Sequence, residues 1–237
     1  MTLANPVFVA LDTTEPDVAA DLSRRLAGRV GGLKFGLEFF TANGPAGVAA
    51  GRDPSLPLFL DLKLHDIPNT VAAAMRAVAR LGVAVTTLHA AGGREMIRAA
   101  VEAGRETAAG LGLPAPKVVA VTVLTSLDRA AAEAIGFVGP IEDQVRRLAR
   151  LTQEAGADGV VCSPLEIEAV RAECGPDFTL VVPGIRPSWS EVGDQKRFLT
   201  PAEARARGAD ILVIGRPITA AADPAAAAAR IQAELGL

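Results

Sequence analysis

Short apolar runs recur eight times along this chain, each followed by a longer segment of helical pattern. That alternation limits the fold more than any other feature. The runs lie at residues 7–11, 32–35, 58–62, 83–88, 117–123, 159–162, 179–182 and 211–214. They are continuous and do not alternate with polar residues, so both faces of each strand are expected to be buried, as in a parallel sheet covered by helices. Ser163-Pro164-Leu165-Glu166 and Thr200-Pro201-Ala202-Glu203 each combine an N-cap, a proline at the first helical position and a capping-box glutamate. Asp223-Pro224 opens the alanine-rich last helix in the same way. Gly82, Gly156 and Gly208 stand just past helical stretches, where a left-handed cap is needed. Eight strands alternating with eight helices predict an α/β fold, a single (β/α)8 TIM barrel over residues 1–237. A doubly wound sheet is the competing architecture, but no G-x-G-x-x-G follows the first strand.

Composition agrees. Half of the 237 residues are hydrophobic, enough for a large core, and neither a domain boundary nor a low-complexity linker is visible. The formal net charge is −3 and no basic run occurs, so no nucleic acid is expected as a partner. Cys162 and Cys174 fit neither a disulfide framework nor a zinc spacing, and read as small apolar residues or an exposed thiol. No stretch approaches the ~20 apolar residues of a membrane span, and the N-terminus lacks a basic segment followed by a long apolar one. No membrane is expected as a partner, and the cytoplasm is the expected location.

In such a barrel the chemistry sits at the carboxyl ends of the strands. Polar residues fall there: Asp12, Lys34, Asp61 and Lys63, His89, Thr125 and Ser126, Pro183 and Gly184, Gly215 and Arg216. The densest cluster is the stretch 61–70, where a strand turns into a helix. Asp61 and Lys63 are two apart on a strand, so their side chains leave one face; Asp66 lies in the turn and Thr70 on the first helical turn. Unpaired charges beside apolar sequence cost several kcal/mol, so these should neutralise one another or a ligand. Taken alone, D-x-K would be a surface salt bridge. Asp12 reads either as a site residue or as a helix cap. Gly215-Arg216-Pro217 opens a short helical piece at 218–221, and a helix start with a glycine and a guanidinium suits a dianion. The alternative is a solvated surface arginine. The connection 183–199 is long for a barrel loop and is a candidate lid. His65 is read as fixing the turn, His89 as a satisfied core histidine, and Phe39, Phe40 and the Met75 region as helix-face packing. Trp189 either packs the lid or lies exposed.

The motif D-x-K-x-x-D-I-P-N-T at 61–70 resembles the signature of the orotidine 5′-phosphate decarboxylases. Val9-Ala10-Leu11-Asp12, Lys34-Phe35-Gly36, Pro183-Gly184-Ile185-Arg186-Pro187, Gly193-Asp194-Gln195 and Ile214-Gly215-Arg216-Pro217 stand in the family's order, so the similarity spans the chain in the bacterial arrangement. Val182 departs from it, where many bacterial members are expected to have threonine. The resemblance implies conversion of orotidine 5′-monophosphate to uridine 5′-monophosphate and carbon dioxide, the last step of de novo uridylate synthesis, with no metal and no organic cofactor. It implies Lys63, Asp61, Asp66 and Lys34 as the catalytic array. Asp12 and Lys34 would hold ribose hydroxyls, and Thr125 or Ser126 the pyrimidine. Pro183 and Arg186 would line the substrate, Gln195 would close over the phosphate, and Gly215 and Arg216 would bind it. It also implies a homodimer in which Asp66 and Thr70 reach the neighbouring subunit's site. Two other readings remain. Sugar-phosphate decarboxylases and aldol-type synthases on a related barrel carry a similar D-x-K-x-x-D and use magnesium, but place a glutamate where this chain has Lys34. A non-enzymatic nucleotide-binding module would be expected to lose the Lys-Asp-Lys-Asp set first.

Overall fold

The computed structural model describes residues 5–190 and 198–237. Eight parallel strands close into a barrel in sequence order: β1 (Val7–Ala10), β2 (Gly32–Phe35), β3 (Leu58–Leu64), β4 (Val85–His89), β5 (Lys117–Val121), β6 (Gly159–Val161), β7 (Thr179–Val182) and β8 (Ile211–Ile214). The eighth strand pairs with the first through Val7↔Leu212 and Val9↔Ile214. The expected barrel is present, and strand positions shift only at their ends. β4 starts at Val85 rather than residue 83, for example, and β5 stops at Val121 rather than residue 123.

Both faces of the strands are buried, and the two-residue period divides them between two cores. Phe8, Ala10, Phe59, Val85, Val119, Val181, Ile211 and Val213 fill the barrel interior. Their neighbours, among them Val9, Leu33, Leu60, Leu88, Leu180 and Ile214, face outward and join the layer beneath the helices. Phe8 and Phe59 meet edge to face at 6.3 Å between centroids. A Cβ on Gly32 would stand 2.3 Å from the Phe8 ring, so that strand position takes no side chain.

The described residues hold ten α-helices rather than eight: α1 (Pro16–Leu26), α2 (Leu37–Gly51), α3 (Pro68–Ala79), α4 (Gly93–Gly110), α5 (Arg129–Ala134), α6 (Ile141–Glu154), α7 (Ile167–Cys174), α8 (Pro201–Ala206), α9 (Arg216–Thr219) and α10 (Pro224–Glu234). The surplus comes from β5–β6, whose connection holds two helices, and from β8, which is followed by two. Capping residues act as the sequence indicates. Ser163 with Glu166 and Thr200 with Glu203 form reciprocal capping boxes, and Asp223 accepts from Ala225 N and Ala226 N. Met75 is buried, and Phe39 stacks on Phe35 at 4.2 Å. Cys162 and Cys174 are both buried, and burial pushes both thiols up, Cys174 to about 11.

At the amino-terminal face of the barrel the tripeptide Gly-Ala-Asp recurs at 156–158 and 208–210 and makes the same latch twice. Asp158 accepts from Val118 N and Arg105, and Asp210 from Leu180 N and Arg171. Each aspartate ties its strand to the preceding strand and to an arginine from a covering helix. No helix among the described residues is long and apolar enough to cross a membrane.

Candidate active site

A cavity of about 310 Å³ opens at the carboxyl ends of the strands. Its floor is the upper layer of the barrel interior: Ala10, Phe59, Val161, Val181 and Val213. Polar groups from six places in the chain rise above that floor: Asp12 after β1, Lys34 on β2, Asp61 and Lys63 on β3, Thr125 after β5, Arg186 beyond β7 and Arg216 beyond β8.

At the centre is Asp61, whose side chain is 13% exposed. Its Oδ2 accepts from Lys63 Nζ at 2.8 Å and lies 3.5 Å from Lys34 Nζ, while its Oδ1 accepts from Thr87 Oγ1 at 2.8 Å. Lys34 Nζ is in turn 3.8 Å from Asp12 Oδ1. Burial works to raise the Asp61 pKa, but the Lys34 and Lys63 ammoniums and the hydrogen bonds from Lys63 and Thr87 outweigh it. The group is held below the ordinary carboxylate value. One carboxylate therefore stays ionised between two cations.

The local geometry of β3 differs from the expected regular strand. Leu60 pairs with Thr86 and Leu64 with Leu88, so four steps along β3 match two along β4. Lys63, at φ +52°, is the one non-glycine residue with positive φ among the described residues. The side chains of Asp61 and Lys63 do meet, but across a bulge instead of along one face of a regular strand.

The cavity gathers Asp12, Lys34, Asp61, Lys63, Thr125, Pro183, Arg186, Gly215 and Arg216 from the residues singled out in the sequence. Asp12 does not cap α1, since Glu15 occupies that position; Asp12 lines the cavity. Ser126 is exposed and does not line the cavity, which leaves Thr125 as the hydroxyl on that wall. Asp66 and Thr70 are also exposed and outside the cavity; Asp66 Oδ1 accepts from Ile67 N at 2.6 Å. Gln195, with Gly193 and Asp194, lies outside the described residues. The two ends of its loop are tied together by Ile185 bridging Leu199, with Arg186 N donating to Leu199 O. The short helix expected at 218–221 begins two residues earlier, at Arg216. Trp189 is partly buried, and the Arg230 guanidinium lies 4.0 Å from its ring centroid.

His89 is not a core histidine. It is half-buried beside exposed His65, with ring centroids 5.4 Å apart. Burial first, then His65 and Lys63, lower its pKa, opposed only by Asp61. Thr87 was not singled out in the sequence. Its signal was available: a polar pair, Thr86-Thr87, interrupts an apolar strand and is separated from His89 by Leu88 alone. Among the described residues no group of three or more His, Cys, Asp or Glu side chains is placed to hold a metal ion.

The family model described as "Orotidine 5'-phosphate decarboxylase / HUMPS family" matches residues 5–231. A Paramagnetospirillum magneticum protein named orotidine 5′-phosphate decarboxylase is 70% identical over 235 residues, covering 99% of this chain and 100% of the relative. One of the same name from Rhodospirillum rubrum is 57% identical, covering 98% of this chain and 94% of its own. The crystal structure of orotidine 5′-phosphate decarboxylase from Lactobacillus acidophilus superposes with a TM-score of 0.81 at 37% identity, over 98% of this chain and 100% of that one.

Proposed function

Because this chain belongs to the orotidine 5′-phosphate decarboxylase / HUMPS family, we propose that it converts orotidine 5′-monophosphate to uridine 5′-monophosphate and carbon dioxide without a cofactor. The C6–carboxylate bond breaks and its electron pair stays on C6, in the plane of the ring, where no carbonyl or imine can accept it. A preorganised cation at that carbon is then the main resource available to the protein. Lys63 supplies it, and afterwards donates the proton that C6 takes up. Asp61 holds the Lys63 ammonium and crowds the departing carboxylate; Lys34 balances its charge. Asp12 and Lys34 bind the ribose hydroxyls, Thr125 the pyrimidine, and Arg186 with Gly215 and Arg216 the phosphate end.

The observation that carries this reading is the carboxylate shared by two ammoniums, at 2.8 and 3.5 Å, over an apolar floor. It also favours this branch of the family over a magnesium-dependent sugar-phosphate chemistry, since Lys34 puts a cation where a metal site needs a carboxylate. The cavity volume is at the lower end of the range for small-molecule sites, roughly 300–1,000 Å³.

The functional unit in this reading is a homodimer, working in the cytoplasm on a nucleotide. Asp66 and Thr70 from each subunit complete the other's site. Supporting this, both are exposed and flank Ile67, a large apolar side chain that is 66% exposed. Purified protein mixed with orotidine 5′-monophosphate, with and without EDTA, tests the reaction. Loss of orotate absorbance at an unchanged rate in EDTA is expected, and abolition by Lys63→Ala with uridine 5′-monophosphate binding retained. Turnover that EDTA removes, or that survives in Lys63→Ala, would overturn the mechanism.

A further inference from the structure

We propose that Thr87 is a positioning residue for decarboxylation, fixing Asp61 and Lys63 relative to each other through a single hydroxyl. Thr87 is fully buried on β4, and its Oγ1 is used in both senses. It donates to Asp61 Oδ1 at 2.8 Å and accepts from Lys63 N at 2.8 Å. Asp61 is left with its oxygens divided: Oδ1 belongs to Thr87, and Oδ2 is free to face Lys63 and Lys34. Without the hydroxyl the carboxylate is free to turn about its terminal bond, and the two lysines lose a fixed counter-charge.

The second half of the contact acts on the backbone. Lys63 has a left-handed φ of +52°, a conformation that persists in a residue with a long side chain only where its surroundings impose it. The imposing groups come from β4. Thr86 Oγ1 donates to Leu60 O at 3.0 Å on one side of the bulge, and Thr87 Oγ1 holds Lys63 N on the other. The adjacent pair thus pins both ends of the irregular segment, and the direction in which the Lys63 side chain leaves β3 follows from it. Thr87 does not line the cavity, so it acts through Asp61 and Lys63 and not on the nucleotide.

This inference rests on the proposed roles of Lys63 and Asp61. Its test is the kinetics of full-length Thr87→Val, which keeps the shape and removes the hydroxyl, beside Thr87→Ser, Thr87→Cys and Lys63→Ala. In Thr87→Val, kcat is expected to fall roughly ten- to hundredfold, the range for a lost hydrogen bond to a charged group. The dissociation constant for uridine 5′-monophosphate should change by less than about threefold, and Thr87→Ser should recover most of kcat. The proposal is overturned if Thr87→Val keeps wild-type kcat, if kcat and nucleotide affinity fall by the same factor, or if Thr87→Ser is as impaired as Thr87→Val. Should Thr87→Val not fold, Thr87→Cys replaces it under the same criteria, since a thiol is a poor substitute in both bonds. Turnover surviving in Lys63→Ala would instead remove the Lys63 assignment, whereas its loss there alongside normal turnover in Thr87→Val would remove only the role of Thr87.

Discussion

Arg171→Met should separate what holds this barrel together from what it does. Arg171 lies in α7 at the amino-terminal face, opposite the cavity. Its Nη1 reaches the carbonyl oxygens of Gly175, Pro176 and Phe178 at 2.7, 3.0 and 2.8 Å, and its Nη2 reaches Gly208 O at 2.6 Å and Asp210 Oδ2 at 2.7 Å. The two nitrogens carry four N–H groups between them, so five contacts amount to about four hydrogen bonds. At about 1 kcal/mol net for each, the sum is about 4 kcal/mol. Asp210 lowers that figure, because its side chain is 40% exposed and keeps both water and the bond from Leu180 N. Methionine also retains the apolar stem. The expected loss is therefore about 3 kcal/mol, within reach of the cost of breaking a partly buried ion pair. At about 2–4 °C per kcal/mol for a domain of this size, Tm should fall by about 6–12 °C. Scanning calorimetry and urea unfolding at one fixed protein concentration measure this, since self-association would shift apparent stability. The kcat/KM for orotidine 5′-monophosphate at 25 °C should stay within about twofold of wild type. A Tm change under about 2 °C, or a tenfold loss of kcat/KM in protein that is still folded, would refute this division between the two faces of the barrel.

Arg216→Ala should weaken uridine 5′-monophosphate by roughly 30-fold or more, as expected when one partner of a charge-assisted contact is removed, and leave uridine unaffected; equal losses for nucleotide and nucleoside, read by calorimetric titration, would argue against a phosphate role. Asp61 is held below its ordinary value of 3.8, so it takes up a proton less readily folded than unfolded. Its contribution to stability is therefore present above 3.8 and lost as pH falls through the depressed folded value. Unfolding free energies of wild type and Asp61→Asn should differ by a constant amount from pH 8 to about pH 5 and converge only below; convergence between pH 7 and 5 would contradict the pairing. Both thiols should resist modification in the native protein, because the Cys174 thiol, at about 11, is roughly one part in a thousand ionised at pH 8 and the Cys162 thiol is pushed higher still. Ellman's reagent should react with both only in denaturant, and rapid labelling of the folded protein would show that one is accessible.

The order of the elements and the identity of the central cluster can be read in the sequence because both depend on near neighbours. Continuous apolar runs mark strands buried on two sides, and Ser163, Thr200 and Asp223 cap helices through contacts three residues away or less. The stretch 61–70 concentrates charge that must find partners, and two of those charges, Asp61 and Lys63, are close enough in sequence to be paired on sight. What only the tertiary structure decides depends on register between strands. The two-for-one mismatch of β3 against β4 appears in neither strand alone, yet it puts Lys63 at φ +52° and brings Thr87, 26 residues from Asp61, onto its carboxylate. The separation of Thr125 from Ser126 and the burial of His89 beside His65 likewise follow from how separate segments meet at the rim. So do the paired latches of Asp158 and Asp210. A local pattern records which faces want to be buried, whereas closure of the barrel decides which side chains then share an interior.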